Sequence, residues 1–368
     1  MFATASGLDD VVVAQTALSD VDGQSGRLVI RGHYVECLVA KAAFEDVCGL
    51  MWSGWMPSVA GREALREALA RAREQAFGLL PSLGNVRDAP AAMDVLRGAL
   101  ARLWTAGDPY EDGVRLTGAI PVLAAAWHRA RMGLPAIAPD VKLSHAADFL
   151  NMLSGAIPHR AHVDGLDAYL CCVVDHGLNP STFVARTVAS TGSDTVSAIV
   201  AAIGALKGPL HGGAPGPVLD MLDAIGAPDR SRPWLEAELA AGRRIMGMGH
   251  RIYRVRDPSA AALERAATIF ERSSAKTDRL LLARVVEREA ERLLAERHPE
   301  RNLHANVEFY TAVLLEAVGI PRTLFSATFA ASRVVGWCAH IQEQRLVGRL
   351  IRPASRYVGA MPRGGGPC

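Results

Sequence analysis

Apolar residues recur along most of the chain at intervals of three and four positions, which is the spacing of a helix with one buried face. Ala, Leu, Arg and Glu dominate these stretches and all favour helices. Strand patterns are few: residues 26–30 predict one strand, which we expect to pair with residues 11–13. The pattern predicts a mainly α fold, with helices over residues 60–79, 94–105, 143–157, 194–206, 217–225, 259–273, 278–297 and 307–318.

Charge density changes along the chain. Residues 230–301 carry many charges of both signs, whereas residues 181–210 and 323–340 are apolar and rich in small side chains. This order predicts a smaller, solvated domain inserted into a larger helical core. The length of 368 residues agrees, since about 150 residues per domain gives roughly two domains.

Composition and net charge exclude several classes of protein. Half of the residues are hydrophobic and 21% are charged, which is typical of a folded chain. There are 40 Lys and Arg against 38 Asp and Glu, and the formal charge of +2 creates no broad field for nucleic acid or an anionic membrane. Any anion must therefore be bound locally.

The longest uncharged stretches, residues 48–61 and 195–206, are shorter than the roughly 18 residues that a membrane span needs. The N-terminal residues lack the basic segment of a secretory signal. We therefore expect a cytoplasmic protein without a membrane span. The six cysteines include no Cys-x-x-Cys pair, so we expect free thiols.

Several familiar motifs are absent. Gly247-Met-Gly249 lacks the third glycine of a dinucleotide fingerprint, and neither a Walker loop nor a Gly-x-Ser-x-Gly elbow occurs. His159 and His162 stand one helical turn apart, but no further ligand at suitable spacing completes a zinc site. We therefore predict neither a metal ion nor a redox cofactor.

Three histidines stand in glycine-rich or helix-starting contexts: His176, His211 and His250. Glycine lets the backbone approach a ligand and leaves its amides free to donate hydrogen bonds. At a helix N-terminus, His211 would stay neutral because the helix dipole disfavours an imidazolium ion. A neutral imidazole can polarise a carbonyl group without titrating.

Single charges also stand in apolar segments. Glu308 and Arg333 are of this kind, and such groups are seldom buried without a partner, so both an internal ion pair and a functional role are open. The basic stretch near the C-terminus lacks interleaved aromatic residues, which favours carboxylate or phosphate binding over nucleic acid. It contains Arg345, Arg349, Arg352 and Arg356.

Taken in order, five motifs resemble those of the citrate synthase family. They are Asp175-His-Gly-Leu-Asn-Pro-Ser-Thr-Phe-Val-Ala-Arg, Lys207-Gly-Pro-Leu-His-Gly-Gly-Ala, Met246-Gly-Met-Gly-His-Arg-Ile-Tyr-Arg, Asn306-Val-Glu-Phe-Tyr and Ile351-Arg-Pro-Ala-Ser-Arg-Tyr-Val-Gly. The segment Gly26-Arg-Leu-Val-Ile-Arg-Gly-His is also similar to short-form members, so the resemblance covers nearly the whole chain.

The resemblance implies a two-domain helical homodimer whose cleft closes on oxaloacetate before acetyl-CoA binds. We place the large domain at residues 1–212 and 320–368, and the small domain at residues 213–319. By the same resemblance, His176, His250 and Arg333 hold oxaloacetate, and Arg352 reaches the site of the partner subunit.

The catalytic residues implied by the resemblance are His211, His250 and Glu308. His211 donates a hydrogen bond to the enol oxygen of acetyl-CoA, Glu308 takes the methyl proton, and His250 polarises the ketone of oxaloacetate. Hydrolysis of citryl-CoA follows. The residues implied for CoA are Met246, Gly247, Met248, Gly249 and Arg254.

Two positions depart from the family pattern. Glu308 stands where the family usually has aspartate, and the extra methylene moves the carboxylate by about 1 Å, a distance that matters for an attacking geometry. In Asp257-Pro258-Ser259, serine replaces the arginine expected to bind a carboxylate of oxaloacetate. We hypothesise that Arg256, or a rearranged neighbour, partly replaces that arginine.

The sequence thus predicts a citrate synthase, an acyltransferase that converts the acyl group into an alkyl group on transfer. Two alternatives stay open. One is a 2-methylcitrate synthase that uses propionyl-CoA. The other is an impaired family member that binds CoA or a dicarboxylate as a regulatory protein.

Overall fold

The structure is a computed structural model that describes residues 6–8, 11–212, 215–250, 252–274 and 278–360. These residues form fifteen α-helices and one small sheet, which confirms the predicted mainly α fold. The first eight helices are α1 (Val35–Lys41), α2 (Phe44–Ser53), α3 (Val59–Leu79), α4 (Ala92–Leu100), α5 (Pro109–Arg131), α6 (His145–Ser154), α7 (Arg160–Cys172) and α8 (Pro180–Ala189). The remaining seven are α9 (Thr195–Leu206), α10 (Pro215–Ile225), α11 (Ser231–Ala240), α12 (Pro258–Ser274), α13 (Asp278–Arg297), α14 (Val307–Ala317) and α15 (Phe325–Val347).

The N-terminal sheet has three short antiparallel strands, β1 (Ser19–Asp22), β2 (Arg27–Ile30) and β3 (His33–Tyr34), in the order β1-β2-β3. The strand predicted over residues 26–30 is confirmed as β2. Its predicted partner was wrong, because residues 11–13 form no strand and β1 pairs with β2. Residues 23–26 connect the two strands and Gly26 has a φ of 65°, so this short turn selects the nearer partner.

Local signals set most helix starts. Ser58, Asp108 and Asp194 each accept a hydrogen bond from the backbone N–H three residues later, at the starts of α3, α5 and α9. Asn179 does the same for α8, and Pro180 follows as its first residue.

Helices α1, α2, α5, α7, α8, α11 and α15 lie outside the ranges we predicted as helical. Pro121 interrupts the apolar pattern of α5. At Gly118, a Cβ atom would lie 2.6 Å from the Cβ of Ala72, so this glycine lets α5 pack closely against α3. In α15, nearly all positions as far as Ile341 are buried, so the helix shows little amphipathic period.

Helix α15 runs through the core and brings the site residues together. It packs against α5, α8, α9, α2 and α7. At Gly336 a Cβ atom would lie 2.3 Å from the carbonyl oxygen of Val174, so α15 touches the backbone that follows α7. That segment ends at His176, one of the three histidines of interest.

The boundaries of the large and small domains stay a prediction, and residue 213, the first boundary, lies outside the described residues. The five cysteines at positions 37, 48, 171, 172 and 338 are free thiols, as expected, whereas Cys368 lies beyond the described part of the chain. Among the described residues, no helix has the length and apolar character needed to cross a bilayer.

Candidate active site

Two of the three histidines meet at one tyrosine. His176 lies in the connection between α7 and α8, and its Nε2 atom is 3.1 Å from the hydroxyl of Tyr253. The rings of His176 and His250 are 5.7 Å apart, and the rings of His250 and Tyr253 are 4.7 Å apart. Burial, followed by the charge of Arg333, lowers the pKa of His176 to about 3.

The hydrogen bonds of His250 determine where its proton lies. Its Nδ1 atom accepts hydrogen bonds from the backbone N–H groups of Ile252 and Tyr253, both at 3.0 Å. Burial, assisted by Arg254, lowers the pKa of His250 to about 4, so the ring is neutral at pH 7. A neutral ring with an accepting Nδ1 carries its proton on Nε2, and that N–H can donate to a ligand.

His211 lies in a turn after α9. The turn closes with a 3.0 Å hydrogen bond from the N–H of His211 to the carbonyl of Gly208. Its Nε2 atom is 2.8 Å from the hydroxyl of Ser181 in the first turn of α8. Burial, followed by Arg333, lowers the pKa of His211 to about 4. The ring is therefore neutral as expected, but burial and a nearby cation are the cause.

Arg333 is a buried cation whose charge no carboxylate meets directly. Its side chain in α15 donates from Nε to the carbonyl of Val173 at 2.7 Å, and its guanidinium lies over the Phe329 ring at 4.5 Å. Among the described residues, no carboxylate oxygen lies within 4 Å of it. The open alternative of an ion pair with Glu308 is therefore not formed. Burial lowers the pKa of Arg333 to about 10.

Glu308 is the second residue of α14. Its Oε2 atom is buried and has no hydrogen-bond partner among the described residues. Burial raises the pKa of Glu308 to about 7, the charge of Asp257 adds to the rise, and Arg333 opposes it. A carboxylate with such a pKa can take up a proton near neutral pH.

Asp257 joins the starts of α12 and α14. One carboxylate oxygen accepts from the N–H of Ser259 at 2.8 Å, and the other accepts from the N–H of Val307 at 3.0 Å. Burial raises the pKa of Asp257 to about 6. Ser259 is 3% exposed, so a small polar residue stands where the family resemblance implied an arginine.

Arg256 does not take the place of that arginine. Its guanidinium forms two hydrogen bonds with Glu287, at 2.9 and 3.1 Å, and a third with Glu264 at 2.8 Å. It also lies over the ring of Tyr310 at 5.5 Å. These pairs argue against the hypothesis that Arg256 partly replaces the missing arginine, because two carboxylates of the neighbouring helices α12 and α13 already bind it.

The loop Met246–Gly249 directly precedes His250 and is hydrogen-bonded to Asn306, the residue before α14. Gly247 and Gly249 have φ angles of 73° and 87°, which favour glycine. The N–H of Asn306 donates to the carbonyl of Gly247 at 3.0 Å, and its side-chain amide donates to the carbonyl of Gly249 at 2.9 Å. These bonds link the loop to Glu308, two residues after Asn306.

Two arginines predicted for the site lie on the surface of the chain. Arg254 is exposed, and its N–H donates to the carbonyl of Gly23 at 2.8 Å. Arg352 is exposed in the extended segment 348–360 and forms no hydrogen bond or ion pair with a described residue of its own chain. The structure thus groups His176 with His250, while Arg352 stands apart.

Sequence reasoning missed several supporting residues. Tyr253 stands inside a quoted motif without an assigned role, and Ser181 likewise. Trp337, fully buried in α15, donates from Nε1 to the hydroxyl of Ser181 at 3.2 Å. Trp337 stands four residues after Arg333 and so lies on the same face of the helix, and this spacing could have indicated it from the sequence. In the described part of the chain, no group of three His, Cys, Asp or Glu side chains is arranged to hold a metal ion.

Comparison with known proteins reveals relatives along the whole chain. The family model described as "Citrate synthase, C-terminal domain" matches residues 7–354. A citrate synthase of Acidithiobacillus ferridurans is 34% identical over 98% of this chain and 96% of its own. A 2-methylcitrate synthase of Mycobacterium tuberculosis is 37% identical over 96% of this chain and 90% of its own.

Solved structures agree with this match. The crystal structure of citrate synthase from Thermotoga maritima has a TM-score of 0.85 and 34% identity, and covers 99% of this chain and 98% of that one. The Thermoplasma acidophilum citrate synthase, solved as a ternary complex with carboxymethyl coenzyme A and oxaloacetate, has a TM-score of 0.87 and 27% identity, with coverage of 99% and 98%.

Proposed function

The chain belongs to the citrate synthase family, and from this premise we propose that it condenses acetyl-CoA with oxaloacetate and hydrolyses the citryl-CoA formed to citrate and CoA. Its reaction class is that of an acyltransferase whose acyl group becomes an alkyl group. The observation that carries the proposal is the combination of two groups: the buried Oε2 atom of Glu308, which has no hydrogen-bond partner among the described residues, and the buried guanidinium of Arg333, which pairs with no described carboxylate.

Glu308 is the proposed base that takes a proton from the methyl group of acetyl-CoA. The α-proton of a thioester is too weakly acidic for a free carboxylate, so the enolate oxygen needs a donor at the same time. His211 is that donor. The C–H electrons form the enol double bond, the proton moves to Glu308, and His211 stabilises the developing charge on the oxygen.

Ser181 determines which ring nitrogen of His211 can donate. The serine hydroxyl has one proton, which points either to Oδ1 of Asn179 at 2.8 Å or to Nε2 of His211 at 2.8 Å. When the proton points to Nε2, the neutral ring carries its own proton on Nδ1. We assign this second arrangement to the acetyl-CoA complex, because Nδ1–H can then donate to the thioester oxygen.

Oxaloacetate is the proposed acceptor. The unpaired guanidinium of Arg333 suits one carboxylate, and His176 lies close enough to His250 to bind the same small molecule. The Nε2–H of His250 then donates to the ketone oxygen while the enol carbon attacks the ketone carbon. Water afterwards breaks the thioester bond of citryl-CoA and releases CoA.

The proposed CoA site uses the loop of Met246, Gly247, Met248 and Gly249, with Arg254 for phosphate. Gly247 and Gly249 allow the adenine base of CoA to approach the backbone closely. The exposed guanidinium of Arg254 suits a phosphate group of CoA. This chemistry needs no metal or redox cofactor, and the absence of both stays a prediction.

We also propose a homodimer in which Arg352 reaches the partner's site. The segment 348–360 is extended and carries exposed apolar side chains, with Leu350 59%, Tyr357 70% and Val358 89% exposed. Apolar residues exposed together beside an arginine are typical of a protein contact surface. The predicted inserted domain at residues 213–319 would close over the cleft.

The deciding experiment measures thiol release from acetyl-CoA and from propionyl-CoA in parallel, each with oxaloacetate. We expect release from acetyl-CoA by the wild-type chain and its loss in His211→Ala. His298→Ala is the matched control, because His298 is a half-buried residue directly after α13 whose side chain lies near Glu300 and has no hydrogen bond or ion pair with these residues. No release of CoA from either donor would contradict the proposed function.

A second candidate reaction uses propionyl-CoA as the donor in place of acetyl-CoA and gives 2-methylcitrate. The 37% identity to a 2-methylcitrate synthase favours testing it. One methyl group changes binding by only about 1–3 kcal/mol, so the ratio of kcat/KM for the two donors is the discriminating quantity.

A further inference from the structure

The connection that carries His176 is held on both sides by one serine of the N-terminal sheet. The hydroxyl of Ser19, the first residue of β1, donates to Oδ2 of Asp175 at 2.5 Å. The same hydroxyl oxygen accepts from the N–H of Gly177 at 3.0 Å. Asp175 and Gly177 are the residues before and after His176, so β1 fixes the backbone at this histidine.

The other carboxylate oxygen of Asp175 meets a histidine of α15. Oδ1 lies 3.1 Å from Nε2 of His340, and both side chains are fully buried. Nδ1 of His340 lies 3.0 Å from the guanidinium of Arg186, which can only donate. His340 therefore carries its proton on Nε2 and donates it to Asp175. Burial would raise the pKa of Asp175, but His340, Arg333 and Ser19 hold it at about 2.

Asp175 also opposes the charge of Arg333 from outside contact distance. Burial lowers the pKa of Arg333, and the carboxylate of Asp175 is the largest influence that opposes this shift. No described carboxylate lies within 4 Å of the guanidinium, and within the described part of the chain only its Nε atom has an acceptor. The two terminal nitrogens are thus free for a ligand.

We propose that Asp175, clamped by Ser19 and His340, is a positioning residue for the 2-oxo acid: it orients His176 and balances the charge of Arg333 without occupying its donors. This inference rests on the proposed function, since it takes His176 and Arg333 as the groups that bind oxaloacetate. If a carboxylate were in direct contact with the buried arginine, the substrate would have to displace it. A carboxylate outside contact distance balances the charge and leaves the N–H donors of the arginine available to the substrate.

The test uses Asp175→Asn, which keeps the size of the side chain and removes its charge. We expect the calorimetric Kd for oxaloacetate to rise about 10- to 100-fold, the effect of losing one charge-assisted interaction. The KM for acetyl-CoA should stay within about threefold. Ser19→Ala should weaken oxaloacetate binding to a smaller extent, and Ser19→Thr, which keeps the hydroxyl, should restore it.

Asp148→Asn is the matched control. Asp148 is fully buried, like Asp175, and it pairs with Arg73 at 2.6 Å. It contacts none of the proposed site residues. We expect this variant to lower Tm and to leave the Kd for oxaloacetate unchanged.

An unchanged Kd for oxaloacetate in Asp175→Asn would overturn the proposal. So would a pattern like that of Asp148→Asn, in which only Tm falls, or an equal loss for both substrates. Failure of the proposed function has a different signature: a wild-type chain that binds oxaloacetate and never releases CoA. The calorimetric comparison of the variants remains decisive in that case.

Discussion

The Nε2 atom of His211 lies 2.8 Å from the hydroxyl oxygen of Ser181, although 30 residues separate them. The indole N–H of Trp337 donates to the same oxygen at 3.2 Å, from a third segment of the chain. Ser181 is fully buried, so water does not compete for these bonds. One hydroxyl thus holds the orientation of the His211 ring, and the direction of the hydroxyl proton is linked to which ring nitrogen is protonated.

We therefore expect Ser181→Ala to lower kcat by about 10- to 100-fold, because a ring free to rotate spends less time in the reactive geometry. The KM for oxaloacetate should change little. The measurement is steady-state thiol release together with Tm. Ser144→Ala removes the hydroxyl of another serine at a helix start, the N-cap of α6, and should cost stability without changing kcat. Equal kcat in the two variants would contradict the role of Ser181.

The activity should rise with pH through about 7. The pKa of Glu308 is about 7 and its deprotonated form takes the methyl proton, so kcat falls as pH drops below that value. His211 and His250, with pKa values of about 4, stay neutral over pH 5–9 and add no second inflection. A pH profile of kcat checks this expectation, and a flat profile between pH 6 and 8 would rule out Glu308 as the base.

The length of the Glu308 side chain should matter for kcat more than for binding. Glu308→Asp withdraws the carboxylate by about 1 Å, and we expect kcat to fall about 10- to 100-fold with little change in either KM. Steady-state kinetics with both substrates tests this. Unchanged turnover in Glu308→Asp would mean that the backbone of α14 adjusts to either residue.

Glu308→Gln should stabilise the protein at alkaline pH. The pKa of this acid rises from 4.5 when unfolded to about 7 when folded, so the folded state binds the extra proton and stability falls as pH rises from 4.5 to 7. The gain in Tm over the wild type should therefore be larger at pH 8 than at pH 4. Glu316 has a lowered pKa because of Arg279 and Arg322, which outweigh burial, and Glu316→Gln should have the opposite effect at pH 8.

Arg256→Met should reduce stability and spare substrate binding. The variant leaves Glu287, which is 9% exposed and also accepts a 2.5 Å hydrogen bond from Tyr310, without its cation. We expect Tm to fall by several degrees and the KM for oxaloacetate to remain within about twofold of the wild type. A large rise in that KM with unchanged Tm would restore Arg256 as a substrate-binding residue.

Several elements were predictable from the sequence because local interactions determine them. The range 278–297 agrees with α13 at both ends, and 307–318 agrees with α14 to one residue. The Asn179-Pro180 pair marks the start of α8 because side-chain capping acts within three residues. Four of the five motifs contain His176, His211, His250 and Glu308, and Arg333 was singled out as a lone charge in an apolar segment, so local context pointed to all five candidates.

The tertiary structure decided what depends on partners far away in the chain. Ser19 and Asp175 are 156 residues apart, and Asp175 and His340 are 165 apart, so no local pattern indicates their hydrogen bonds. The same holds for Arg256, whose carboxylate partners on α12 and α13 exclude it from the substrate role that its position suggested. The pKa of Glu308 rises because packing removes water from the carboxylate, and desolvation is a property of the folded core. The sequence alone determined which side chains are available for catalysis; their charge, protonation and orientation were decided by the helices that pack around them.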